Sequence, residues 1–106
     1  MTISAGVRAQ LTGRGSLANA ANLDIDSGGT SQALFAANEI RQILIVQNQS
    51  AGDLYINFGA AAAADSTSIK IVAGATFVME PPGFVDVQAV NIFGATTAQA
   101  FSAKEV

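Results

Sequence analysis

The sequence predicts an all-β domain, an antiparallel sandwich of jelly-roll-like or small-barrel form with about seven short strands and an extended N-terminal arm. Three observations predict it. Apolar, β-branched runs of strand length recur from residue 30 onward, with Gly, Pro, Asn or Ser turn signals between them. No helical pattern is long enough to cross over between parallel strands, so the strands pair antiparallel. The strongest run, Ile40–Asn48, is apolar on both faces at its middle, which places it at the centre of a sheet.

Residues 1–29 stand apart as an arm, and residues 30–106 form the sandwich domain. The arm is rich in Gly, Ala, Asn and Ser, with isolated apolar residues whose spacing holds neither a strand nor a helix period for long. Two readings stay open for it. One is a frayed, solvated tail. The other is an extended arm that orders along a neighbouring subunit, because a purely solvated tail would carry more charge and fewer apolar groups. On the second reading Val7, Arg8, Leu11, Arg14, Leu17, Leu23 and Ile25 are the candidate protein-interface residues.

Ser31–Ala36 is a short strand holding Leu34 and Phe35, and Ala37-Asn38-Glu39 turns the chain. In Ile40–Asn48, Ile40, Leu44 and Val46 share one face and Ile43 and Ile45 the other, with Arg41, Gln42, Gln47 and Asn48 at the wetter ends. Gln49–Gly52 has the length of a hairpin loop. Asp53–Phe58 alternates, with Leu54, Ile56 and Phe58 inward and Tyr55 outward. Gly59 ends that strand, and the alanines of Ala60–Ala64 form a loop with room for one helical turn. Ser68–Val72 and Thr76–Glu80 are strands around a turn at Ala73-Gly74, and Pro81-Pro82-Gly83 breaks the ladder. Phe84–Phe93 reads as a second long strand whose parity slips at Ala89-Val90, the mark of a bulge or of cover on both sides. Thr97–Glu105 is the last strand, anchored by Phe101.

At 106 residues the chain is one domain that can bury a core. Half of it is hydrophobic and only 12% is charged, so its outer surface suits burial against other protein. The net charge is −3 and the five basic residues are scattered, which argues against nucleic acid as a partner. No apolar run reaches the about 20 residues that span a bilayer, and residues 1–8 lack the pattern of a signal peptide. Neither of these points to a membrane. The absence of cysteine excludes a disulfide framework and fits a cytosolic origin.

With no histidine and no cysteine, the commonest general base, the strong nucleophile and the usual zinc ligands are missing. Asp24 and Asp26 share a face of an extended segment, a weak calcium-like pair without the further oxygens calcium needs. Gly13-Arg14-Gly15-Ser16 lacks the context of a phosphate loop. Asn48-Gln49-Ser50 matches a glycosylation acceptor in form and reads as turn chemistry. No catalytic residue and no cofactor is expected.

The run Arg41-Gln-Ile-Leu-Ile-Val-Gln-Asn48, then Ser50, Asp53-Leu-Tyr-Ile-Asn-Phe-Gly59, Ile69-Lys-Ile, the Gly74 turn, Val90-Asn-Ile and Ala103-Lys-Glu105 resembles small β-sandwich virion proteins of tailed bacteriophages, of the capsid decoration or cement type. The resemblance covers about residues 31–105. It implies a non-enzymatic protein that binds and stabilises the major capsid shell, with the major capsid protein as partner, a homo-oligomer with a trimer favoured, and a place on the capsid surface after synthesis in the host cytoplasm. A neck, tail or fibre-base protein is the alternative within the virion. From another class, a carbohydrate-binding sandwich module would need exposed aromatics on a flat face, for which Tyr55 is the candidate.

Overall fold

The computed structural model describes residues 18–20 and 22–106. Eight strands follow in chain order: β1 (Ala18–Asn19), β2 (Gln32–Phe35), β3 (Leu44–Asn48), β4 (Leu54–Phe58), β5 (Ile69–Ile71), β6 (Thr76–Met79), β7 (Val90–Gly94) and β8 (Phe101–Glu105). β1 pairs with β8, β2 with β7, β3 with β6 and β4 with β5, each antiparallel. Each pair joins strands equally far from the middle of the chain, so the chain is one long two-stranded ribbon. Rolling the ribbon adds the β3–β8 and β4–β7 ladders. The result is two four-stranded sheets, β1-β8-β3-β6 and β2-β7-β4-β5. This is the jelly-roll arrangement of a β-sandwich.

The core follows from strand parity. Leu44 and Val46 of β3, with Phe101 and Ala103 of β8, face Leu54 and Ile56 of β4 and Val90 and Ile92 of β7, and all eight are buried. Along each of these strands the buried side chains fall at alternate positions, as a sheet with one covered face requires. In β2 the register shifts between Ala33 and Phe35, and that irregularity lets consecutive Leu34 and Phe35 both be buried.

Several expectations are corrected. β3 begins at Leu44, because Ile40 lies in a turn and Arg41 is buried for its polar bonds. β3 is central in its sheet, but only its inner face is packed in the core; Ile43 and Ile45 on the outer side are half-buried. β7 begins at Val90, and residues 84–89 are irregular, their carbonyls turned to other partners.

The Gln49–Gly52 connection is an arch and not a hairpin, since β3 and β4 lie in different sheets. Asn48 makes the arch possible. Its buried amide donates to the carbonyls of Gly52 (2.7 Å) and Ile71 (2.8 Å), while its Oδ1 accepts from the Ser50 amide and hydroxyl. The side-chain bonds satisfy backbone groups that the crossing strips of ladder partners. Gln99 works from the other side, donating to Ser50 Oγ and the Asp53 carbonyl and accepting from the Thr96 amide.

Residues 18–20 and 22–25 run along the outer edge of β8. Ala18 and Asn19 face Glu105 and Lys104, Ala20 N–H donates to Ala103 O, Phe101 N–H donates to Leu23 O, and Asp24 bridges to Ala100. Ile25 is 1% exposed and belongs to the core. At Gly28 a Cβ would stand 2.6 Å from the Ala95 carbonyl, so only glycine allows this approach. The described part of the expected arm is thus laid against the chain's own sheet. An edge of unpaired β8 groups needs cover, and this segment supplies it.

Candidate docking surface

The end of the sandwich where β3 starts and β8 finishes is built around Arg41. Its side chain is fully buried, which a guanidinium tolerates only with its donors satisfied. Nε donates to Glu105 Oε1 (2.7 Å), Nη1 to the carbonyls of Asp86 (2.8 Å) and Gln88 (2.9 Å), and Nη2 to the carbonyl of Ala36 (3.0 Å). These bonds tie the end of β8 to the loop after β2 and the loop before β7, and so join both sheets. Asn38 N–H donates to Val87 O, and Arg41 N–H to Asn38 O, which fixes the two loops side by side. Val106 and Ile43 exchange both backbone bonds and extend the β3–β8 ladder by one pair.

Above this frame stand Ile40 and Phe84, 82% and 81% exposed. They are the two most exposed large apolar side chains among the described residues. Ile40 is held by its N–H donating to Asn38 Oδ1, and Phe84 follows the exposed Pro81-Pro82-Gly83 turn. Both bare apolar side chains stand on loops that the buried Arg41 guanidinium holds. Their burial against a partner would be worth about 1.5–3 kcal/mol each. Ala18 pairs with Glu105 at this same end.

The remaining features are less suited to a ligand. At the opposite end a cleft of about 450 Å³ lies between the arch and the loop before β8, lined by Ser50, Gly52, Thr96, Ala98 and Gln99 among others. No charged side chain lines it, and the Gln99 amide is already satisfied on both atoms. On the outer face of the β2-β7-β4-β5 sheet, Tyr55 meets Phe93 edge to face, with centroids 6.2 Å apart and planes at 67°. At 67° the two rings do not lie in one plane and so do not make a single flat platform. Asn57 and Asn91 on the same face donate to the carbonyls of Ala61 and Ala60, which draws the alanine loop over the sheet.

Asp24 and Asp26 are exposed, and Asp26 accepts from Asn22. Among the described residues no three His, Cys, Asp or Glu side chains come together as a metal site. The exposed Asp65 carboxyl is held below the usual aspartate value, first by the Thr67 hydroxyl and then by the Thr67 amide.

Of the residues expected at an interface, Leu23 is half-exposed beside β8 and Ile25 is in the core. Val7, Arg8, Leu11, Arg14 and Leu17 lie outside the described residues. Ile40, Phe84 and Arg41 are the residues that sequence reasoning passed over. The available signal was an apolar residue directly after each of two turn sequences, Ala37-Asn38-Glu39 and Pro81-Pro82-Gly83. Comparison with family models, with curated proteins and with solved structures gave no match.

Proposed function

We propose that the chain is a non-enzymatic structural protein of a bacteriophage virion, a decoration subunit that docks end-on upon the major capsid protein and reinforces the shell. The observation that carries this is the pair of exposed apolar side chains, Ile40 and Phe84, on loops tied to Arg41 in a weakly charged domain; together they are called the tip. The partner comes from the resemblance of residues 31–105 to capsid decoration proteins, and so does the homo-oligomer, a trimer favoured. Jelly rolls serve viral capsids and lectins alike, so the fold by itself chooses no function. The tip favours protein over sugar as the partner, because it offers apolar side chains without convergent polar groups. A neck or tail subunit would use the same contact on a different virion surface.

Co-sedimentation with genome-free phage heads tests the proposal. The chain should pellet with heads in a saturable manner and not with isolated tails. Replacing both tip residues, Ile40→Ser with Phe84→Ser, should weaken binding at least about tenfold without unfolding the domain. Binding to tails alone would move the protein to the neck or tail. No binding to either would sink the proposal.

A further inference from the structure

Four strands form the edges of the two sheets: β1 and β6 of one, β2 and β5 of the other. An open edge invites a further strand, and proteins blunt such edges with shortness, charge or bulges. Three of the four are blunted. β1 is two residues long, β2 carries the register shift between Ala33 and Phe35, and β5 is three residues long with Lys70 at its middle. β6 has none of these guards. Thr76-Phe77-Val78-Met79 is uncharged, and its ladder to β3 runs in unbroken register. Asn48 N–H donates to Ala75 O, so by alternation Ala75, Phe77 and Met79 turn their backbone groups to β3. The N–H and C=O groups of Thr76 and Val78 therefore point out along the edge.

The core is also incomplete on this side. Ile69, Phe77 and Met79 stand on inward rows, opposite Ile56, Val46 and Leu44, which are all 0% exposed. Yet Phe77 and Met79 are only half-buried and Ile69 is 41% exposed. On the far side Ala20, Ile25, Leu34 and Phe35 close the core. Among the described residues no strand lies beyond β5 or β6.

We propose that β6 pairs antiparallel with β6 of a second copy, about a two-fold axis at Phe77. The strand that fits this edge is uncharged, offers free backbone groups at alternate positions and carries apolar residues on the inward row. β6 itself meets each requirement, and a two-fold contact needs only one such surface. In this register Thr76 stands opposite Val78 of the other copy. Each opposed pair exchanges two ladder bonds, so the two pairs make about four. Phe77 meets Phe77 of the other copy on the inward side, beside the exposed Ile69, and the two incomplete cores join. Glu80 comes opposite Gly74, so no like charges face each other. The contact is small, which sets a dissociation constant on the order of 100 µM. The inference rests on β5 and β6 and not on the capsid reading. On this edge the homo-oligomer that the resemblance implies is a two-fold dimer in place of a trimer.

Analytical ultracentrifugation of the full chain from about 10 µM to about 1 mM reads the association. The mass should rise from one chain toward two. In hydrogen exchange the Thr76 and Val78 amides should slow with concentration, while those of Ile40 and Phe84 at the tip do not. Two variants test the register. Thr76→Lys with Val78→Lys sets like charges opposite each other across the axis and should weaken the dimer at least about tenfold. Thr76→Lys with Val78→Glu sets unlike charges opposite each other and should keep the dimer. Both positions are exposed, and melting of dilute samples checks that each variant folds. A chain that stays single at the highest concentration would overturn the inference. So would a trimer, equal weakening by the two variants, or slowed exchange at Ile40 and Phe84 in place of Thr76 and Val78.

Discussion

Arg41 Nε and Glu105 Oε1 lie 2.7 Å apart across 64 residues of sequence, and the pair closes the sandwich at the end that carries the exposed tip. The guanidinium is fully buried while the Glu105 side chain keeps 17% of its exposure, so the two partners are not equivalent. Arg41→Ala strips donors from three backbone carbonyls and leaves Glu105 unpaired. It should destabilise the domain by about 3–5 kcal/mol in urea unfolding. Arg41→Lys should recover only part of this, because an ammonium does not reproduce the planar fork. Glu105→Gln, which keeps an acceptor and has water nearby, should cost less than either. Equal stability of Arg41→Ala and the parent chain would remove the frame on which the tip is said to stand.

The arch between β3 and β4 depends on Asn48. Asn48→Ala leaves the buried Ile71 carbonyl and the Ser50 amide without partners, and about 1–3 kcal/mol of stability should be lost for each group that stays dry. Asn48→Asp should be worse, since a carboxylate sets oxygen against the Gly52 and Ile71 carbonyls. Thermal unfolding of the two variants gives the order directly.

Truncation separates the segment before β1 from the rest. Removing residues 1–17 should leave a folded sandwich, because β1 and Ile25 remain in place. Removing residues 1–28 takes β1, Ala20 and Ile25 away from β8 and the core, and should unfold the chain or lower its melting temperature sharply. Ile25→Ala in the full chain should cost about 2–5 kcal/mol. Shell binding by a truncated chain is therefore best tested with residues 18–106, in which the fold and the first segment are not confounded.

Asp65 offers a check on local electrostatics. Its two bonds from Thr67 favour the carboxylate, so its folded pKa lies below the ordinary aspartate value. With the folded value depressed, the bonds stabilise the loop above the unfolded pKa, and this contribution fades as pH falls through the folded one. Thr67→Val should move the measured value part of the way back, since the amide bond remains. Carbon-detected titration of Asp65 in the two chains measures it. The carboxyl is exposed, so global stability at neutral pH should hardly change.

The inward rows of β3 and β4 were legible because period 2 is a local property. Leu44 and Val46, or Leu54 and Ile56, declare their face within five residues. The eight-strand roll was only half legible, since β1 is two residues long and carries no apolar pattern. Arg41 was read as a wet strand end because its partners, Glu105 and three carbonyls, are invisible to any window around it. Ile40 and Phe84 were read into strands, because an apolar residue beside a run looks the same whether it faces a core or water. The choice of arch over hairpin at Gln49–Gly52 is made elsewhere, by β6 and β8 taking both edges of β3. Ile25 was placed in an interface because it is a lone apolar residue among Asp, Ser and Gly.

The central claim, that Ile40 and Phe84 form the docking surface, is tested most directly by binding to genome-free phage heads with parent chain and the Ile40→Ser, Phe84→Ser double variant side by side. Both proteins should show the same melting temperature within a degree or two, as exposed positions allow. The parent should saturate the heads and the variant should lose at least about tenfold in affinity. Equal binding by the two proteins would contradict the account.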